Sequence, residues 1–165
     1  SRAPAERKRE ILKDPHAGAF AVIGAAAYLL LYFGLATELP DKPHIPLLLL
    51  LTYVTCRVLS ALAVLLFPKN EGKGLLASFS ASADRTVSVV ALSVFFAAAA
   101  AGLAAAGGAA GLVMLGGALL CLAYLYIISR RSFGGMSGDL AGYFLQIAEL
   151  AMLAAIIFVD KAVSL

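Results

Sequence analysis

The chain has 165 residues, of which 62% are hydrophobic and 14% charged, and its mean hydropathy is +0.93. A water-soluble domain of this length does not need so much apolar material, so the composition excludes an ordinary soluble fold. The long stretches with almost no charge predict an all-α fold, a multi-pass transmembrane helical bundle. The net charge of +3 does not indicate a nucleic-acid partner, because the basic residues cluster where apolar stretches end.

Five apolar spans follow a polar, basic segment at 1–16. We place these spans at about 17–39, 45–67, 86–106, 109–129 and 140–159, within a single transmembrane domain at 1–165. Spans of about twenty residues match a hydrocarbon core of roughly 30 Å. The third and fourth spans are rich in small residues that let helices approach closely in lipid, which predicts a structural hairpin. Its glycines include Gly102, Gly111, Gly116 and Gly117.

The basic residues are distributed unequally between the two sides of the membrane. Ten of the 13 Lys and Arg lie before the first span or in the second and fourth loops, and two lie on the other side. The positive-inside rule then places the N-terminal end of the chain in the cytoplasm. We therefore expect the chain to span the lipid bilayer of the cell (inner) membrane. The polar segments 13–18, 69–74 and 130–139 therefore converge on the cytoplasmic face.

The loop at 130–139 contains residue types that suit a phosphorylated ligand. Arg130 and Arg131 supply forked donors for phosphate oxygens, and Gly134 and Gly135 let backbone N–H groups approach an anion. Asp139 can bind Mg²⁺ or accept a proton. The same loop is also typical of a basic turn between two membrane helices. Likewise, Lys13, Asp14 and His16 precede the first span, where they form either part of a site or a lipid-contacting segment.

Two charged residues lie inside spans. Arg57 and Glu149 are each ten residues from the predicted cytoplasmic end of their span, which is a depth of roughly 15 Å at 1.5 Å per residue. Equal depth and opposite sign predict an ion pair or a shared polar cavity, with both side chains turned inward, since an unpaired charge there is costly. Asp139, Gln146 and Glu149 fall on one helical face, which we expect to point inward.

Three segments of the chain resemble the cobalamin synthase family, the membrane adenosylcobinamide-GDP ribazoletransferases. REILKDPHAGAF at 9–20 is similar to the family's I-(M/L)-K-D-x-x-x-G-A-F entry to a membrane span. Arg57, followed by a Phe-Pro at 67–68 and a Glu-Gly at 71–72, is similar to the family's span with an internal Arg, which is followed by a Pro and an E-G loop. FGGMSGD at 133–139, followed by Glu149, resembles F-G-G-x-(T/S)-G-D and its acidic helix.

The resemblance implies that an α-ribazole or α-ribazole phosphate hydroxyl attacks the GDP group of adenosylcobinamide-GDP and releases GMP, with Mg²⁺ as the cofactor. Residue type assigns candidate catalytic roles to Asp139, Lys13 and Asp14, and metal binding to Asp139. The candidate substrate contacts are Arg57, Arg130, Arg131, Ser137, Gly138, Glu149 and His16.

The chain departs from the family pattern in three places. Leu140 stands where the family usually has Thr, and Gln146 stands where it often has Glu. An acidic D-G-x-A-D-x-x-D motif precedes the K-D segment in the family and does not occur in this sequence. We therefore expect the chain to be the C-terminal part of a longer enzyme and to be inactive by itself.

Two other classes of protein share parts of this pattern. A CDP-alcohol type of Mg²⁺-dependent phosphotransferase also displaces a nucleotide with an alcohol, although it depends on an acidic motif that this sequence lacks. A small transporter would use Arg57 and Glu149 to line its pathway. The sequence leaves open whether the chain forms a homo-oligomer.

Overall fold

The computed structural model describes residues 4, 7, 8, 10, 11, 18–68 and 84–163, and every element within these residues is helical. Each of the five long helices is long and apolar enough to cross a membrane, so the predicted all-α, five-span fold is confirmed. The helix ends lie within four residues of the predicted span ends. The helices are α1 (Ala19–Thr37), α2 (Ile45–Leu66), α3 (Arg85–Gly107), α4 (Ala109–Ile128) and α5 (Gly138–Val163), and a π-helical turn at Ser129–Phe133 extends α4.

Helices α2 to α5 form a four-helix ring, in which each helix packs on the next and α5 returns to α2. Neighbouring helices in the ring run antiparallel, in an up-and-down order; on α2 and α3, for example, Leu51 lies beside Gly102 and Leu48 beside Gly107. Helix α1 lies outside the ring, packs mainly against α5 and has no fully buried residue. The core therefore lies inside the ring, where the largest fully buried side chains include Leu48, Leu103, Met114, Leu125, Phe144, Met152 and Ile156.

Local sequence signals explain where several helices begin. The Asp84 carboxylate caps α3 by accepting hydrogen bonds from the backbone N–H of Thr86 (2.9 Å) and of Val87 (3.2 Å). Pro46 lies in the first turn of α2, where its missing N–H breaks no helical hydrogen bond. Gly108 joins α3 to α4 with a φ of 52°, a conformation that favours glycine.

The α3–α4 hairpin is closely packed at Gly111. A Cβ added there would lie 1.9 Å from the carbonyl oxygen of Leu103, so no larger residue fits without moving the backbone. At Gly102 a Cβ would lie 3.1 Å from the side chain of Leu51. The predicted role of small residues therefore holds at these two positions. It is wrong for Gly116 and Gly117, since the described residues leave open space beside both.

The antiparallel arrangement gives the bundle two ends. The motif end contains the C-terminal ends of α2 and α4 and the N-terminal ends of α1, α3 and α5. At the opposite end, two ion pairs join the α1–α2 connection to the end of α5. Glu38 pairs with Lys161, and Lys42 pairs with Asp160. A cavity of about 240 Å³ lies beside these ion pairs, and its lining includes His44, Leu48, Gly107 and Ile156.

Candidate functional site

The glycine pair of the FGG motif reverses the chain direction at the end of α4. Gly134 has a φ of 72° and Gly135 a φ of 149°, and residues with side chains rarely adopt such values. The N–H of Gly135 donates to the carbonyl of Ser129 at 2.9 Å, which closes the turn over the π-helical segment. The motif is therefore a compact structural junction between α4 and α5.

This junction is fixed to the end of α2. The N–H of Met136 donates to the carbonyl of Pro68 at 2.8 Å, and the Met136 side chain is buried. Phe67 packs edge-to-face on Tyr126, with 5.0 Å between ring centroids. The end of α2 therefore contacts the motif. The polar segment that follows at 69–74 lies outside the described residues.

Arg130 and Arg131, which lie just before the FGG motif, differ in their contacts. Arg130 donates to the Tyr126 hydroxyl at 2.8 Å, and its guanidinium carbon lies 5.5 Å from the centroid of the same ring. Arg131 is exposed and forms no hydrogen bond or ion pair with any residue that the structure describes. Both guanidinium groups therefore lie at the surface of the motif end, where a phosphate would find forked donors.

The N-terminus of α5 is the third part of this junction. The hydroxyl of Ser137 accepts from the N–H of Leu140 at 3.4 Å, so Ser137 has a structural role in capping the helix as well as its predicted role in the site. Gly138 and Asp139 are exposed in the first turn. The first N–H groups of a helix lack intrahelical acceptors and carry partial positive charge, which favours anion binding close to Arg130 and Arg131.

A metal centre is not assembled within the described part of the chain. No group of three or more His, Cys, Asp or Glu side chains occurs there, and Asp139 is the carboxylate that the motif itself supplies. The remaining site candidates, Lys13, Asp14 and His16, lie outside the described residues. Their predicted roles stay predictions.

The predicted pairing of the two intramembrane charges is confirmed. Nη1 of Arg57 lies 2.6 Å from Oε1 of Glu149 and also donates to the Tyr53 carbonyl at 3.3 Å. The Glu149 side chain is 9% exposed, whereas that of Arg57 is 59% exposed. The prediction that both charges turn inward is therefore right for Glu149 and wrong for Arg57.

The predicted inward face of α5 needs a similar correction. Asp139 and Gln146 are exposed, and Glu149 is the buried member of the three. The reason is the position of α1, which packs on the ring only through its second half. Its half-buried helical residues are Tyr28, Tyr32, Leu35 and Ala36, whereas all residues at 18–27 are exposed.

Sequence reasoning missed three tyrosines that surround the ion pair. Tyr32 and Tyr53 share a hydrogen bond between their hydroxyls, and the guanidinium carbon of Arg57 lies 5.5 Å from the Tyr53 ring centroid. Tyr28 stacks near Tyr32 at 5.9 Å between centroids. A signal was available, because Tyr28 and Tyr32 are one helical turn apart and α1 has almost no other polar side chain.

A multi-pass membrane bundle with a glycine turn, exposed arginines and a helix N-terminus at one end defines an integral membrane protein suited to binding an anion at that end. A family model described as "Cobalamin-5-phosphate synthase" matches residues 1–157, and the chain belongs to this family.

Relatives with the name adenosylcobinamide-GDP ribazoletransferase are similar along almost the whole chain. The protein of Lachnoclostridium phytofermentans is 35% identical over 96% of this chain and 60% of its own length. The proteins of Treponema denticola and Desulfitobacterium hafniense are 33% and 30% identical, over 94% and 90% of this chain and 63% and 58% of their own lengths. The chain thus spans about 60% of the length of these relatives. No solved structure matches it.

Proposed function

We propose that this chain is the motif-bearing part of an adenosylcobinamide-GDP ribazoletransferase. The enzyme would join α-ribazole or α-ribazole phosphate to adenosylcobinamide-GDP and release GMP, a late step of cobalamin biosynthesis. Family membership and the names of the relatives support the reaction. The structural observation that carries the proposal is the junction at 129–139, where two arginines and a helix N-terminus surround a glycine turn.

Each group at the junction has a role that follows from its chemistry. Arg130 and Arg131 bind oxygens of the pyrophosphate and hold it in place. The N–H groups in the first turn of α5, with Gly138 at its start, face the same negative charge. Positioning of this kind contributes much of the catalysis in phosphoryl transfer, because the protein stabilises charge that shifts toward the leaving group.

Asp139 is the residue that we propose as the magnesium ligand. Mg²⁺ in proteins is commonly held by one or two carboxylates, with substrate phosphates and water completing its shell. The single exposed carboxylate at the start of α5 fits that pattern. Bound Mg²⁺ would offset the negative charge of the pyrophosphate. Lys13, Asp14 and His16 precede α1 in the sequence and stay candidates for the same site.

The motif end faces the cytoplasm of the inner membrane in this proposal, as the distribution of Lys and Arg indicates. Single cysteines placed at Ser132 and at Lys42 test this orientation in intact cells with a thiol reagent that does not cross the membrane. The cysteine at position 42 should react and the cysteine at position 132 should not. Labelling of position 132 alone would reverse the orientation.

The decisive test of the function is an assay of the full-length protein in detergent or nanodiscs. Adenosylcobinamide-GDP is supplied with α-ribazole or with α-ribazole phosphate, and GMP release is measured with and without Mg²⁺. We expect GMP release to depend on the ribazole substrate and on Mg²⁺. Residues 1–165 expressed alone should release no GMP. Absence of GMP release from the full-length protein with either ribazole substrate would overturn the proposed function.

A further inference from the structure

A polar stripe runs from the motif into the membrane along α5. Asp139 and Gln146 are exposed, a Cβ on Gly142 would meet nothing within 4 Å, and Glu149 lies one turn beyond Gln146. These positions are three or four residues apart and therefore lie on one helical face. Helix α2 contributes Arg57 to the same line through its ion pair with Glu149. We call the line formed by Arg57, Gly142, Gln146 and Glu149 the α2–α5 seam.

The guanidinium of Arg57 is not fully satisfied in the seam. Its Nη1 makes both of the hydrogen bonds described above, while Nη2 and Nε make none to the described residues. The side chain is 59% exposed, although it belongs to a helix that is long and apolar enough to cross a membrane. Hydrocarbon offers no acceptors for these donors, so a polar group must cover this side of Arg57.

Helix α1 closes the seam on one side of the ion pair and leaves it open on the other. Tyr32 bonds to Tyr53, and the Tyr28 ring lies beside it, with 5.9 Å between the two ring centroids of Tyr28 and Tyr32. Toward the motif, no side chain of α1 at 18–27 is even half-buried. The tyrosines therefore form a floor, and the seam opens toward the motif end.

The charges of the seam indicate what it can bind. Arg57 and Glu149 neutralise each other, so an added anion would face a carboxylate as well as a guanidinium. The remaining donors of Arg57, the amide of Gln146 and the tyrosine hydroxyls instead match neutral carbonyl, carboxamide or hydroxyl groups. Glu149 lies ten residues beyond Asp139, which is roughly 15 Å along the helix. One extended ligand could therefore place phosphates at the motif and neutral groups in the seam.

We propose that the α2–α5 seam binds the uncharged carboxamide groups of the substrate while the motif binds its phosphates. This inference rests on the proposed function and adds to it a second subsite with a different chemistry. Arg57 and Gln146 are the specificity-determining residues of this subsite, because they offer hydrogen bonds to a polar partner while Glu149 disfavours an added negative charge.

The experiment measures binding of two separate probes to the full-length protein in nanodiscs by equilibrium dialysis. Cobinamide carries the carboxamides without the nucleotide, and GDP carries the phosphates without the corrinoid. Gln146→Leu leaves the ion pair intact and changes an exposed side chain, so the variant should fold. It should weaken cobinamide binding about tenfold, the effect of losing one or two hydrogen bonds, and leave GDP binding unchanged.

Two further variants sharpen the result. Arg57→Lys keeps the charge beside Glu149 but loses the planar fork, and it should also weaken cobinamide binding alone. Tyr28→Phe should have a smaller effect of the same kind. Tyr124→Phe is the matched control, since Tyr124 is an exposed tyrosine of α4, a helix that contributes no residue to the seam. It should bind both probes as the wild type does.

The outcomes separate the two proposals. Wild-type binding of GDP but not cobinamide would overturn the seam as a subsite. So would equal cobinamide binding by the wild type, Gln146→Leu and Arg57→Lys. If the wild type binds neither cobinamide nor GDP, the proposed function itself is overturned. Thermal unfolding of each sample shows whether a variant that loses binding is still folded.

Discussion

The two ends of the bundle use charged residues in different ways. At the opposite end, Glu38 and Lys42 pair with Lys161 and Asp160, and these contacts hold the α1–α2 connection to the end of α5. At the motif end, Arg131 and Asp139 form no ion pair with the described residues. Charges that already have partners stabilise structure, whereas exposed charges without partners are available to a ligand. The charges at the opposite end therefore serve packing, whereas we propose that those at the motif end bind a ligand.

The largest expected effect comes from removing a charge at the motif end. Asp139→Asn should reduce turnover of the full-length protein by about a hundredfold or more, as loss of one precisely placed group in an active site commonly does. Its thermal stability should stay close to that of the wild type, because the carboxylate is exposed. GMP release and thermal unfolding are measured on the same preparation.

Asp160→Asn is the matched control at the opposite end. It removes an ion pair with Lys42, so it should leave turnover within about twofold of the wild type and lower stability by at most about 1 kcal/mol. If Asp160→Asn impairs turnover as strongly as Asp139→Asn, the division of labour between the two ends is wrong.

Gly111 tests the packing of the α3–α4 hairpin at the opposite end. Gly111→Ala places a methyl group against the Leu103 carbonyl and should destabilise the protein by about 3 kcal/mol, the upper part of the overpacking range. Gly116→Ala enters open space on the same helix and should change stability by less than about 1 kcal/mol. Denaturation in detergent compares the two alanine variants. Equal stability of both would contradict the close approach of α3 and α4.

Loss of the Arg57–Glu149 ion pair, which lies between the two ends of the bundle, should have an intermediate effect on stability. Arg57→Gln and Glu149→Gln should each cost roughly 2 kcal/mol, less than the about 3–5 kcal/mol of a fully buried pair, because Arg57 is largely exposed. The double variant should cost less than the sum of the two single variants. Simple additivity in a double-mutant cycle would show that the two charges do not interact energetically.

The smallest effect concerns pH at the opposite end. The hydrogen bond and the positive charge of Lys161 lower the pKa of Glu38 from its ordinary value of 4.5. A lowered folded-state pKa means that the stabilisation is present above pH 4.5 and is lost as the pH falls through the folded value. Wild-type protein should thus melt slightly higher than Glu38→Gln at pH 7, and the difference should shrink as the pH falls below 4.5. About 1 M salt should also remove it at pH 7.

The five spans and the main ion pair could be predicted from the sequence for simple physical reasons. Hydrocarbon requires long apolar helices, so the span ends are marked by charge and by residues such as Asp84 and Gly108. Arg57 and Glu149 could be paired because they have equal depth and opposite charge. The FGG turn could be identified from the sequence because a glycine pair lies between two apolar spans. In the structure, Gly134 has a backbone conformation that favours glycine.

Other features depend on how helices pack in three dimensions, and the sequence does not specify that directly. Arg57 and Gln146 were expected to be buried, but their exposure depends on where α1 lies across the ring. The spacing of glycines did not distinguish Gly111, which packs on Leu103, from Gly116, which has no neighbour within 4 Å among the described residues. In lipid an exposed face and a packed face have similar apolar composition, so hydropathy does not separate them.

The π-helical turn at Ser129–Phe133 changes the rotation about the helix axis of the residues that follow it. A π-turn accommodates one residue more than an α-helical turn, and each residue rotates a helix by about 100°. The chain therefore leaves α4 in a different direction from an uninterrupted helix. Deleting Ser132 would return the segment to α-helical phase and pull the FGG turn away from Pro68. Single-residue gaps at this point should therefore be as damaging as loss of a motif residue, although the FGG sequence itself is unchanged.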